Sequence, residues 1–281
     1  MNDEAVILEE SVPLDLRLSE GELAATRDHI TAFVADVVDR ADADGAVLGL
    51  SGGIDSTLTA YLAVEALGAD RLYGLVMPSE ANAADNMSDA ERVARDLGIE
   101  YDVVDITPIF DAFVDAFPEE GVAERIDTDP FRTAAGNVRV RIRAVLNYFV
   151  ANAENRVVLG TGNRSEALAG YYTKYGDQAV DCNLYKQQVR QMAAHVGVDD
   201  DLVTKTPSAE MWTGQTDEAE MGLGYDTLDA ILALHIDGPL SKSATVRHLD
   251  VTPDQVGRVV DLYERSAHKR AMPPAPDPIR R

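Results

Sequence analysis

The chain has 281 residues, 46% of them hydrophobic, enough for one large domain with its own core. Asp and Glu number 49 against 25 Lys and Arg, a net charge of -24, which argues against a nucleic-acid partner because phosphate binding needs a basic surface. No apolar run reaches the ~18 residues of a membrane span, the acidic start MNDEAVILEE is no signal peptide, and a lone Cys182 excludes an internal disulfide or a cysteine metal cluster.

These exclusions leave a soluble cytoplasmic protein as the expectation, with neither nucleic acid nor membrane as partner. Of the basic residues only five are lysines and 20 are arginines. Self-repulsion of this size destabilises a compact fold at low salt, and concentrated salt screens it. The expectation is a salt-accumulating cytoplasm, as in extreme halophiles.

Residues 1–20 show no clear periodicity and read as an arm. Ile30, Phe33, Val34, Val37 and Val38 then recur at helical spacing over 26–40. AVLGL (46–50) reads as a buried strand that stops at Ser51-Gly52-Gly53, and a helix with Leu58, Leu62 and Ala66 on one face follows. LYGLVM (72–77) is a second strand ended by Pro78. A helix over 89–98 stops at Gly98. YDVVDI (101–106) is a third strand, and Thr107-Pro108 reads as an N-cap with proline at the first helical position.

A long helix is expected from about 134 to 152, with Val138, Ile142, Val145 and Phe149 as its apolar stripe. VVLGT (157–161) is a fourth strand, and 184–197 is helical again. Residues 204–225 read as a long polar loop; loops of that length are usually functional. A last helix spans 253–270, starting at Thr252-Pro253, and 273–281 is a Pro-rich extended tail. Strands alternating with helices imply an α/β fold: a doubly wound, mainly parallel sheet with helices on both faces. No linker or repeat divides it, so 1–281 is expected to be one domain. Ligands of such sheets bind beyond the carboxyl ends of the strands.

Gly49-Leu50-Ser51-Gly52-Gly53-Ile54-Asp55-Ser56 lies between the first strand and its helix. Its glycines let backbone approach a phosphate. The helix N-terminus supplies free N–H groups and a positive dipole end, and Ser51 and Ser56 can donate to phosphate oxygens. Asp55 would repel phosphate unless a cation intervenes, so it points to Mg2+. No Walker lysine is present. A plain Gly-rich turn is the competing reading.

The SGGxDS pattern resembles the pyrophosphate loop of the N-type ATP pyrophosphatases. The rest of the chain is similar to one branch, the NAD synthetases, over residues 26–272. Gly136-Asn137-Val138-Arg139-Val140-Arg141-Ile142-Arg143 with Tyr148 resembles the family's arginine-rich helix segment. Leu159-Gly160-Thr161-Gly162-Asn163-Arg164-Ser165-Glu166 resembles its second strand-end loop, and Gly170-Tyr171-Tyr172-Thr173-Lys174-Tyr175-Gly176-Asp177 its most specific block. Lys205-Thr206-Pro207-Ser208-Ala209, Gln215-Thr216-Asp217-Glu218, Gly222-Leu223-Gly224-Tyr225-Asp226 and His268-Lys269-Arg270 complete the set in the family's order.

This resemblance implies an adenine nucleotide alpha-hydrolase-like, Rossmann-like fold. It implies ATP at residues 49–56, Thr161, Lys186 and Ser208, and Mg2+ on Asp55 and Glu166. Deamido-NAD is implied at Arg141, Tyr148, Lys174, Asp181, His268 and Lys269, with Asp55 and Lys186 as the catalytic pair. The implied reaction is ATP-dependent amidation of deamido-NAD by ammonia through an acyl-adenylate. Glutamine-dependent members carry an extra amidase domain, for which this length leaves no room, so free ammonia, or ammonia from a separate partner, is expected. A homodimer with the long helix at its interface is implied as well.

One departure concerns Asp181–Lys186, which is shorter than in the family and lacks a proline; Lys186 is aligned because it stands 22 residues before Ser208. A tRNA-modifying adenylase would call for a basic surface and often paired cysteines. A non-catalytic ATP sensor would not need Asp55 with Glu166.

Overall fold

A computed structural model describes residues 16–276 apart from 81–83, 119–120, 127, 129, 180, 209–211 and 213–214. The expected arm over 1–15 and the end of the tail therefore lie outside the described residues.

Four strands are present among the described residues: β1 (Gly45–Leu50), β2 (Leu72–Val76), β3 (Glu100–Val103) and β4 (Arg156–Val158). They form one parallel sheet in the order β3-β2-β1-β4. β1 pairs Ala46 with Leu72 on one side and with Val157 on the other. It is apolar on both faces because helices cover both. β2 and β3 lie to one side of β1 and β4 to the other, so the strand order reverses beside β1. That reversal opens a crevice at the carboxyl ends of β1 and β4.

The helices are α1 (Glu20–Arg40), α2 (Ile54–Leu67), α3 (Ala84–Leu97), α4 (Thr107–Ala116), α5 (Val122–Arg125) and α6 (Phe131–Ala153). After β4 come α7 (Arg164–Ala169), α8 (Lys186–His195), α9 (Asp200–Val203) and α10 (Asp217–Met221). The chain ends with α11 (Tyr225–Ile231), α12 (Lys242–Leu249) and α13 (Pro253–Arg265).

α1, α2 and α8 pack together on one face of the sheet around Val34, Val38, Leu48, Leu58, Leu62 and Met192. α6 and α4 cover the other face, over Val47, Leu75, Met77 and Ile106. A third apolar cluster joins α7, α11 and α13 through Leu168, Tyr225, Leu228, Val256 and Val259. Truncating a buried leucine such as Leu58 to alanine costs about 2–5 kcal/mol in such packing.

Several local expectations change. α1 begins earlier than expected, at a capping box between Ser19 and Glu22. Leu16 is buried and its carbonyl accepts from Gln191, so the end of the arm is docked. Thr107 is not the cap of α4: the Asp105 carboxylate accepts its N–H at 2.8 Å, which places the cap at Ile106. β4 is shorter than expected, although Leu159 still donates to Val47 at 2.9 Å.

The expected loop over 204–225 contains α10. α13 starts at the Thr252–Gln255 capping box but ends at Arg265, where the Ser266 hydroxyl turns back onto the Leu262 and Tyr263 carbonyls. In the expected stripe of α6, Ile142 packs on the sheet while Val145 and Phe149 face solvent, 68% and 69% exposed. Leu146 and Val150, on a rotated face, make the inward contact instead.

Candidate active site

The loop after β1 folds on itself before any ligand arrives. Gly52 takes φ +75°, a left-handed turn that favours glycine. The Ser51 hydroxyl accepts from Gly53 N at 3.2 Å and lies 3.1 Å from the Ser56 hydroxyl, which donates to the Gly53 carbonyl. α2 starts at Gly53 with no side-chain cap, so its first N–H groups and positive end face the crevice, a ready anion site. Lys205 braces the loop from outside. Its Nζ donates to the Gly52 carbonyl at 3.0 Å and to Asp89 at 2.6 Å.

Asp55, on the first turn of α2, meets residues from two later elements. Asn163 caps α7 by accepting from Glu166 N at 2.9 Å, and its amide donates to Asp55 at 3.0 Å. Glu166 thereby stands one turn into α7, facing the loop. Lys186 opens α8 and is 2% exposed; its Nζ contacts Asp55 directly and lies 3.8 Å from Glu166. Ser165 accepts from Lys186 N at 2.9 Å and donates to the buried Asp229, which also accepts Gln187 N. The shortened stretch before Lys186 still delivers the lysine to the loop.

The electrostatics follow from this crowding. Burial and the neighbouring Asp55 raise the Glu166 carboxyl to about 8. Burial works against the Lys186 ammonium, but Asp55 and Glu166 outweigh it and hold the lysine above its ordinary value. Burial raises Asp229 to about 7. Burial raises the Tyr225 phenol strongly, and Glu166 and Asp217 add to it. One cation thus faces several carboxylates.

A pocket of about 460 Å³ opens over this cluster, within the range of small-molecule sites. Its lining includes Gly49, Leu50, Ser51, Gly53, Ile54, Asp55, Ser56, Thr161, Lys186 and Ser208 from the expected ATP set, which leaves only Gly52 outside it, together with Glu166 from the expected metal pair. Ser208 donates to the Gln215 carbonyl at 2.7 Å. Trp212 covers part of the rim, with the Arg132 guanidinium 4.9 Å from its ring.

The expected dinucleotide residues are less concentrated. Tyr148 and Lys269 line the pocket, and Arg141, Lys174, Asp181 and His268 lie outside its lining. Arg141 donates to the Lys174 carbonyl at 3.1 Å, and Lys174 Nζ donates to the His268 carbonyl at 2.6 Å. Lys269 donates to the carbonyls of Gly170 and Tyr172. Gly170, at φ +71°, has no room for a side chain, since a Cβ there would stand 2.0 Å from that of Ser266. These contacts stitch residues 170–178 between α6 and the turn after α13. Asp181 sits beside Gly162, and burial raises its carboxyl.

Reading the sequence singled out neither Asn163, Asp229, Tyr225 nor Asp217 as site residues. Asn163 carried a usable signal, an N-cap residue three positions before Glu166. The others are distant in sequence and meet the site only through the fold.

A parallel sheet whose first strand ends in this loop, with a lysine and two carboxylates at its switch point, defines a nucleotide-binding protein of the PP-loop pyrophosphatase class. The chain matches the family model described as NAD synthase over residues 26–273. It is 60% identical to the NH3-dependent NAD+ synthetase of Halobacterium salinarum, covering 94% of this chain and 97% of that one. It is 43% identical to the protein of the same name from Methanosarcina mazei, over 91% and 99% of the two chains.

Among solved structures it resembles NMN synthetase from Francisella tularensis, with TM-score 0.75, 32% identity, and coverage of 93% of this chain and 100% of that one. It also resembles the NH3-dependent NAD synthetase of Campylobacter jejuni, with TM-score 0.73, 27% identity and the same coverage. The chain belongs to the NAD synthase family.

Proposed function

We propose that this chain amidates deamido-NAD with free ammonia, using ATP and Mg2+, and releases NAD, AMP and pyrophosphate in the cytoplasm. The observation that carries the reading is the convergence of Asp55, Glu166 and Lys186 on the phosphate loop at the β1–β4 crevice. The halobacterial and methanogen relatives, matched over nearly their whole length, are named for ammonia. The whole of 1–281 acts as one domain in this reading.

The residues fit Mg2+. The ion is commonly held by one or two carboxylates together with substrate phosphates, and Asp55 and Glu166 supply two beside the loop. Burial first and Asp55 second disfavour the ionised Glu166 carboxyl, and a divalent cation beside it would favour that ionised form. When bound, the ion would offset charge developing on the leaving pyrophosphate.

The nicotinate carboxylate oxygen attacks the α-phosphorus of ATP, and the bond to the β-phosphate oxygen breaks. The N–H groups of α2, Ser51, Ser56, Ser208 and Lys186 hold the departing pyrophosphate, and Thr161 lies against the nucleotide. Ammonia then attacks the acyl carbon, AMP leaves, and a proton is released. No side-chain nucleophile is needed; positioning and charge stabilisation carry the rate. Thr206, Pro207 and Trp212, which line the pocket, shield the adenylate from water. Arg141, Tyr148, Lys174, Asp181, His268 and Lys269 hold the dinucleotide.

Two copies of the chain complete that half of the site. Val145, Tyr148 and Phe149 are exposed on α6, as are Ile109 and Phe113 on the contacting helix α4 and Phe117 at its end; exposed apolar side chains of this kind suit an interaction surface.

The test is NAD and AMP formation in molar KCl from ATP, Mg2+ and either deamido-NAD or nicotinate mononucleotide, with ammonium or glutamine. NAD from deamido-NAD and ammonium supports the proposal. Preference for the mononucleotide would align this chain with the Francisella protein and overturn the substrate assignment. Turnover with glutamine alone would overturn the nitrogen source.

A further inference from the structure

Tyr225 opens α11 directly after Gly224 and is 1% exposed. Its hydroxyl lies 3.1 Å from Glu166 Oε1 and 3.0 Å from Asp217 Oδ2. Its ring lies 5.1 Å from Lys186 Nζ. Lys186, at 3.8 Å, is an ion-pair neighbour of the same carboxylate. Asn163 accepts from the Glu166 backbone N–H, and its side chain also reaches the carboxylate.

We propose that Tyr225 is a positioning residue that aims the Glu166 carboxylate at a divalent cation beside Asp55, and that Asp217, sharing the same hydroxyl, ties this aim to the placement of α10. The inference rests on the Mg2+ reading above. A phenol carries one proton and donates to one carboxylate at a time. When it donates to Glu166, the carboxylate is held by a rigid, fully packed side chain. When it donates to Asp217, Glu166 loses that restraint and its aim at the cation.

Lys205, Pro207, Ser208 and Trp212 line the pocket, and α10 begins at Asp217. The placement of α10 and cation binding at Glu166 are therefore coupled, and the coupling is equal in both directions. Partners that orient a metal ligand in this way typically change metal affinity by about 10–100-fold.

The test uses Tyr225→Phe, which keeps the ring and removes only the hydroxyl. Mn2+ is the probe, its free concentration followed by EPR with the full chain and α,β-methylene-ATP. The expected result is Mn2+ binding weakened by about tenfold. The Mg2+ concentration for half-maximal turnover should rise in parallel, with a smaller fall in the rate at saturating Mg2+. Asp217→Asn approaches the pair from the other side: it should alter Mn2+ affinity in the wild-type background and have no effect in Tyr225→Phe.

Mn2+ affinity unchanged in Tyr225→Phe, or an Asp217→Asn effect equal in both backgrounds, overturns the inference. Wild-type protein that binds the nucleotide but retains no Mn2+ removes the Mg2+ reading, and this inference with it. The two failures are thereby told apart.

Discussion

The phosphate half of the site and the dinucleotide half are built differently. Around the loop, Lys186, Asn163 and Asp229 are buried and each polar end meets another side chain at the reacting centre. Around 170–178, Arg141, Lys174 and Lys269 spend their cationic ends on main-chain carbonyls; Arg141 and His268 are exposed and Lys174 is half-buried. The first half is preorganised within one chain, as transition-state stabilisation demands. The second half holds a loop in place and leaves an open flank next to the apolar face of α6. On the proposed function, one chain supplies the charge chemistry, and binding of the larger substrate depends on a second copy covering that flank.

Asp55→Ala should break the phosphate half outright. Pyrophosphate release should fall by about 10³-fold or more, since charge stabilisation of the leaving group is the largest contribution asked of the site; substantial release in the variant refutes the role given to Asp55.

Phe149→Asp should strike the other half alone. It should convert a dimer to monomers in sedimentation, raise the KM for deamido-NAD by about tenfold or more, and leave ATP binding in place, because a charge cannot be buried unpaired at an interface. Arg141→Ala removes one charged donor, worth about 1.5–3 kcal/mol. Its KM for deamido-NAD should rise by about tenfold or more while that for ATP stays near wild type, and equal changes in both would dissolve the division between the halves.

The smallest expected effect is on stability against pH. Burial lifts Asp229 from 3.8 to about 7 in the fold. The folded state then binds protons that the unfolded chain has released, so stability falls as pH rises from the unfolded value through the folded one. Melting of the ligand-free protein should therefore drop between about pH 4 and 7, and Asp229→Asn should flatten that slope. An unchanged slope would mean that Asp229 does not titrate in the buried half.

The loop at 49–56 was legible because strand, glycine turn and helix N-terminus are contiguous. The β-strands were legible as apolar runs, and α13 announced itself through Thr252 and Pro253. The region from 226 to 249 gave no clear signal, yet α11 supplies Asp229, which is defined by its contacts with α7 and α8 and not by any local pattern. Tyr225 lies in the Gly222–Asp226 motif, which gave it no role of its own. The stripe of α6 misled for a related reason: periodicity marks an apolar face but does not say whether a sheet or a second molecule covers it.

The sequence by itself determined the class of fold, the phosphate loop and the family, because each is written in short contiguous patterns whose chemistry is local. Only the tertiary structure decided which carboxylates share Lys186, which hydroxyl stands between Glu166 and Asp217, and which face of α6 stays open. Those relations depend on distances between segments up to 131 residues apart. Such distances follow from how the α7, α8 and α11 packing closes the crevice, and no local pattern encodes them.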